Sequence, residues 1–348
     1  MAEDQNKQDY KDLNDTIEDV NSNSTEYLQK FTYRSYDGKF QPRWMRILHL
    51  IRFELISTWR KSKFAKVLIV IVLVFSLFAI IGASTVKLLD EEGEVIDDEK
   101  VIRDALNEAI ANHLAMNSLI LSNSDGISYG LGMGLSFLLI IVIGLAGSGF
   151  FADDKKGKVI EIYLSRLEKR EYITGKVGAI VIYINIFVLL PLLITGLLYV
   201  QALEEDHVEF LDFYLGIITY SILCSIILGL FILVLSIFVE KRAYASLIFF
   251  LVFLFGGIIG NWIAEENMNN EFLLLISPSN FLVLLAYVCL GDYDLGVWDD
   301  KQEKVRPLNL DNGFSLEYWH IFLLAFIYIL IFSLILAYKI WKTTTEEL

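Results

Sequence analysis

The chain has 348 residues, 55% of them hydrophobic, and a formal net charge of −14. A mean hydropathy of +0.51 excludes an ordinary soluble domain. No nucleic-acid partner is expected.

Residues 1–42 are polar, acidic and rich in Asn, Asp and Ser. Such a stretch buries too little apolar surface to offset its ordering entropy, so a disordered tail is expected there. Arg43–Lys66 then carries seven Lys and Arg. Helical spacing puts Trp44, Ile47, Leu48, Ile51, Leu55 and Trp59 on one arc, with Arg46, His49, Arg60 and Lys63 opposite. Leu50 and Phe53 blur the division. A basic amphipathic helix with Trp at its edge suits the inner headgroup layer, with Trp44, Arg46, Ile51, Arg52, Trp59 and Arg60 at the interface.

Six apolar runs follow, at about 67–86, 127–151, 177–203, 211–239, 243–264 and 318–341. Each is long enough to cross about 30 Å of hydrocarbon as a helix. Charge enters them only at their ends, as Asp212 and Lys339. Barrel strands alternate in polarity and these runs do not, so the expected class is an all-α integral membrane protein. The residues between the runs are sorted by charge. Seven basic residues lie in Arg43–Lys66, just before the first span, and seven in Asp153–Lys176. By contrast 87–126 has three basic against ten acidic residues, and 265–317 the same. The positive-inside rule then puts both termini in the cytoplasm and 87–126 and 265–317 outside a cell membrane.

Two connections have internal detail. In Asp153–Lys176, Val159–Leu164 can form a short amphipathic piece. Ser165-Arg166-Leu167-Glu168 fits a capping box that starts the third span near Arg166. Phe272–Leu290 is apolar enough to be a seventh span, but Ser277-Pro278 interrupts it. A crossing there would put the acidic 292–311 segment inside, so two short helices dipping into the outer leaflet are preferred. Within 87–126, Glu99–Leu121 reads as a polar helix.

No catalytic constellation is evident. Arg170 stands where the first glycine of a P-loop ending at Gly175-Lys176 belongs, and Val177 follows the lysine, so ATP is not bound here by that motif. No HExxH, no GxSxG and no histidine pair at ligand spacing occurs. Cys224 and Cys289 suggest neither a disulfide nor a metal site. Asn185 and Pro191 in the third span read as an interhelical hydrogen bond or a kink. Gly130–Gly134 and Gly256–Gly260 read as helix-packing faces.

Leu164-Ser165-Arg166, then Arg170-Glu171-Tyr172-Ile173 and Gly175-Lys176, resembles the loop after the second span of ABC-2 type transporter permeases. The preceding basic helix, the six spans and the Ser277-Pro278 hairpin fit the same layout. Leu167 stands where the family often has Pro, and the long acidic loop after span one is atypical. The resemblance implies the membrane half of an ATP-driven transporter, often an exporter. It implies pairing with a second permease subunit, a copy or a related chain, and with a separate ATP-binding subunit. No cofactor is implied for this chain; ATP and Mg belong to that partner. Val159–Leu167 becomes the coupling segment, with Val159, Ile162, Leu164 and Ser165 in it. Lys155, Lys156, Arg166, Lys169 and Arg170 would meet acidic ATPase surface. The competing reading is a non-transport assembly or sensor subunit whose acidic outer region binds a ligand.

Overall fold

The computed structural model describes residues 42–61, 120–122, 132–157, 159–164, 167–202, 210–239, 241–266, 270–291, 294–299, 304–309 and 316–346, with a few single positions between them. The expected tail and nearly all of the expected first span, 67–86, lie outside the described residues.

Nine helices are described: α1 Arg43–Lys61, α2 Gly132–Gly147, α3 Gly149–Lys156, α4 Val159–Leu164, α5 Lys169–Ala202, α6 Leu211–Phe238, α7 Arg242–Glu266, α8 Pro278–Leu290 and α9 Tyr318–Glu346. A 3-10 turn, Glu271–Ile276, precedes α8. Among the described residues, four helices are long and apolar enough to cross a membrane: they hold Lys169–Leu198, Leu211–Phe238, Arg242–Ala264 and Tyr318–Lys342. α2 has 16 residues and α8 has 13. At a rise of about 1.5 Å per residue, α8 is too short to span hydrocarbon alone.

α6 sits at the centre. It is the most buried of the four long helices and packs against α5, α8 and α9. α7 and α9 keep most of their apolar surface exposed. In a membrane that surface meets lipid, so it carries no penalty.

Several expectations are corrected. The helix after the charged loop begins at Lys169 rather than near Arg166. Glu171, three residues past Glu168, accepts the Glu168 amide at 3.1 Å. The reciprocal half of a capping box therefore sits one turn later than expected, with Glu168 at the cap. Ser165 and Arg166 lie outside the described residues. Asn185 donates to the Val181 carbonyl of its own helix at 3.3 Å, not across to a neighbour. Pro191 lies inside α5 without ending it. Finally, three strands form an antiparallel sheet where loop and polar helix were expected: β1 Ile120–Ser122, β2 Asp294–Asp299 and β3 Lys304–Asn309. Ile120 pairs with Val297, and Asp294 with Asn309. Hence residues from 87–126 and from 265–317 share one sheet, and Ile120 and Leu121 are strand.

Candidate functional site: a buried ammonium at the base of the charged loop

The chain breaks at Ser148, between α2 and α3, and α6 supports the break. Ser236 Oγ accepts the amides of Phe151 and Ala152, each at 3.1 Å, and donates to the Ser148 carbonyl at 2.8 Å. Arg242 donates through Nε and Nη2 to the Leu145 carbonyl. Orphan groups on both sides of the break are thus satisfied inside the protein. Ser236→Ala is expected to cost about 1–2 kcal/mol, the scale of a lost helix cap. Hydrogen exchange should show it as faster exchange at Phe151 and Ala152, with the α6 amides unchanged.

α3 then runs to Lys155 and Lys156, both exposed in its last turn, where cations complement the helix dipole. The Gly157 amide closes the turn on the Asp153 carbonyl at 2.9 Å. In α4, Val159 is half-buried, Tyr163 and Leu164 pack against the core, and Ile162 is 61% exposed. Arg170 is exposed at the start of α5 and Lys169 half-buried. Of the expected coupling residues, then, Lys155, Lys156, Ile162 and Arg170 are available to a partner. Leu164 instead anchors the segment.

Beneath this segment lies a charge that a loop reading does not foresee. Lys176 is fully buried, in the second turn of α5. Its ammonium donates to Glu54 Oε1 of α1 at 2.7 Å and to the Phe150 carbonyl at 2.8 Å. It also stands 2.6 Å from Asp154 Oδ2 of α3. Three oxygens around an ammonium match its three protons. Tyr172 donates to the same Asp154 oxygen at 2.8 Å. The rings of Phe150, Tyr163 and Tyr172 lie 5.6–5.9 Å from the ammonium, within cation–π range. Burial, and then the nearby charges of Glu54 and Asp154, push the Tyr163 phenol up to about 12, so it stays neutral at any working pH.

The neighbouring residue explains how α1 comes close enough. A methyl on Gly175 would overlap Leu50 Cδ2 and lie 2.9 Å from its Cγ. Gly175-Lys176, unremarkable as a failed P-loop, is the pair that admits α1 and neutralises its acid.

α1 docks through Leu50, Ile51, Glu54 and Leu55. Leu50 is the centre of this contact, not a blemish on the arc. Trp44, Leu48 and Trp59 stay exposed beside it. Two further ion pairs hold the helix: Arg43 to Glu168 at 2.7 Å and Arg46 to Glu171 at 2.9 Å. A cleft of about 240 Å³ opens next to the cluster, lined by Glu54, Asp153, Asp154, Tyr163 and Arg242 among others.

At the opposite end of α7, the chain turns between the 3-10 segment and α8. Ser277 is buried and caps α8, accepting the Asn280 amide at 3.3 Å, and Pro278 occupies the first helical position. Asn280 donates to Asn261 of α7 at 2.9 Å.

Glu54, Asp154 and Phe150 were not singled out from the sequence. One signal was present: Glu54 is the only acid in Arg43–Lys66, and it falls on the apolar side of the wheel. Among the described residues no group of His, Cys, Asp and Glu is arranged to hold a metal ion. Compared with known protein families and with curated proteins, the chain matches none.

Proposed function

We propose that the chain is the permease subunit of an ATP-driven transporter of ABC-2 type, working as an exporter with a second permease and a separate ATP-binding subunit. ATP and Mg act in that partner. One observation carries the reading: α3–α4 exposes Lys155, Lys156 and Ile162 while its base is fastened through Lys176 to both α1 and α5. A push on such a segment moves two membrane-associated helices together instead of being lost in a flexible loop.

The proposed layout keeps six spans with a re-entrant segment before the last, and the sheet favours the re-entrant part. Residues that pair in one sheet lie on one side of a membrane. β1 and β2 pair, so an even number of crossings separates them. If the apolar run at 127–151, which holds α2, crosses once, it makes four crossings with α5, α6 and α7; a crossing by α8 would make five. The reading therefore keeps Glu271–Leu290 on the side of the sheet it enters from, and the charge sorting assigns that side to the outside.

The test is purification of the full chain from its native membrane in mild detergent, followed by photolabelling with azido-ATP. A separate labelled polypeptide should accompany the wild type. Lys155→Glu/Lys156→Glu/Ile162→Asp should weaken its retention by about thirty-fold, the effect of removing one interface hot spot, while the chain itself stays monodisperse. Absence of any ATP-labelled partner on the wild type would leave the non-transport assembly reading in its place.

A further inference from the structure

The charged residues of α1 are divided between two tasks. Arg43 and Arg46 are committed to Glu168 and Glu171. Glu54, the only acid in Arg43–Lys66, is turned inward to Lys176. What remains on the outward surface is basic and apolar. At 100° per residue, the docked Leu50, Glu54, Ile51 and Leu55 take one side of the helix, the exposed Trp44, Leu48 and Trp59 run along the edge of that side, and Arg52, Lys63 and Arg60 lie beyond them. Trp44 is 59% exposed and Leu48 52%, and Arg52, Arg60 and Lys63 are all exposed. None of these three cations forms an ion pair with a described carboxylate.

We infer that this open face binds anionic phospholipid headgroups, with Arg52, Arg60 and Lys63 over the phosphates and Trp44 and Trp59 seated at the acyl boundary. Charge complementarity selects the occupant. A surface with three cations and no acid favours lipids of net negative charge over zwitterionic ones, whose own ammonium would be repelled. The apolar stripe directly beside the cations favours a membrane over an acidic protein, because an interfacial helix sinks such a stripe below the headgroups. The two faces of α1 then serve different neighbours. One holds α5 and the charged loop, and the other reads the charge of the leaflet. The inference rests on the reading that α1 lies along the membrane surface; it needs no ATP-binding subunit.

Its test uses the purified full chain, without any ATPase, in phosphatidylcholine nanodiscs with and without phosphatidylglycerol. Photoactivatable forms of each lipid are crosslinked and mapped to peptides of α1. Wild type should crosslink phosphatidylglycerol in preference to phosphatidylcholine. Arg52→Gln/Arg60→Gln should cut the phosphatidylglycerol crosslinks by roughly five-fold per charge removed, and leave those to phosphatidylcholine unchanged. Arg52→Lys/Arg60→Lys should restore them, which separates charge from misfolding. Arg43→Gln/Arg46→Gln should leave the preference intact. Equal crosslinking of the two lipids by wild type, or equal loss of preference in the two glutamine pairs, would overturn the inference. Failure to co-purify an ATPase would not touch it.

Discussion

Lys176→Met is expected to destabilise the protein by about 3–5 kcal/mol, the range for removing one partner of a buried ion pair. The reason lies less in the lost bonds than in what remains. Glu54 and Asp154 are both drawn toward this ammonium, and each would be left as a carboxylate facing a hole in a low-dielectric site. Thermal unfolding in a fixed detergent should show the loss, with α1 the first element to release. Adding Glu54→Gln and Asp154→Asn to Lys176→Met should recover most of it, because the buried charges are then removed together. Asp154→Asn alone should be mild, since the ammonium keeps Glu54 and the Phe150 carbonyl, and Tyr172 can still donate to the amide oxygen. If the triple variant were as unstable as Lys176→Met, packing and not charge would account for the effect.

That comparison bears directly on function. A buried salt bridge adds little net stability over a well-packed apolar substitute. What it adds here is register. Glu54, Asp154 and the Phe150 carbonyl meet at one ammonium only when α1, α3 and α5 have one mutual arrangement. In the proposed transporter, the triple variant would then be stable but poorly coupled. Its ATP hydrolysis would no longer respond to transport, whereas a change that merely unfolds the chain would abolish both.

The sequence made the long helices plain and hid this cluster, for a common physical reason. Continuous apolarity is a local property. The run at 211–239 therefore corresponds almost residue for residue to α6, Leu211–Phe238. The interruption at Ser277-Pro278 was legible for a similar reason, since a proline limits the backbone locally; that Ser277 caps α8 was not read. Lys176 was counted with the loop cations because a hydropathy reading treats charge as surface. Its partners Phe150 and Glu54 lie 26 and 122 residues away. Glu168 was assigned one turn too deep because both it and Glu171 lie where a capping acid can serve, and only the start of α5 decides between them. The sheet escaped notice because β2 and β3 are short and charged, and because β1 pairs with a strand more than a hundred residues away. Strand pairing at that separation leaves no periodic signal.

The second large effect belongs to the turn between the 3-10 segment and α8. A methyl at Gly260 would lie 2.7 Å from Cα of Ser277 and 2.8 Å from its amide nitrogen. Those are backbone atoms, so no rotamer change relieves the contact; α7 and the turn must move apart. Moving apart strains the Asn280–Asn261 hydrogen bond and the Ser277 cap together. Gly260→Ala is accordingly expected to cost about 3 kcal/mol, the upper part of the usual overpacking range. Gly256 provides the control, four residues earlier on the same face. A methyl there meets only ring carbons of Pro278, at 3.1 and 3.2 Å, and Gly256→Ala should cost about 1 kcal/mol while also gaining helix propensity. Thermal unfolding of the two variants in the same detergent separates them. Equal stabilities would mean that α8 does not press its turn against α7. With a clear difference, the close approach is real, and the turn at Ser277 is held from one side by a backbone-to-backbone contact that any side chain would open.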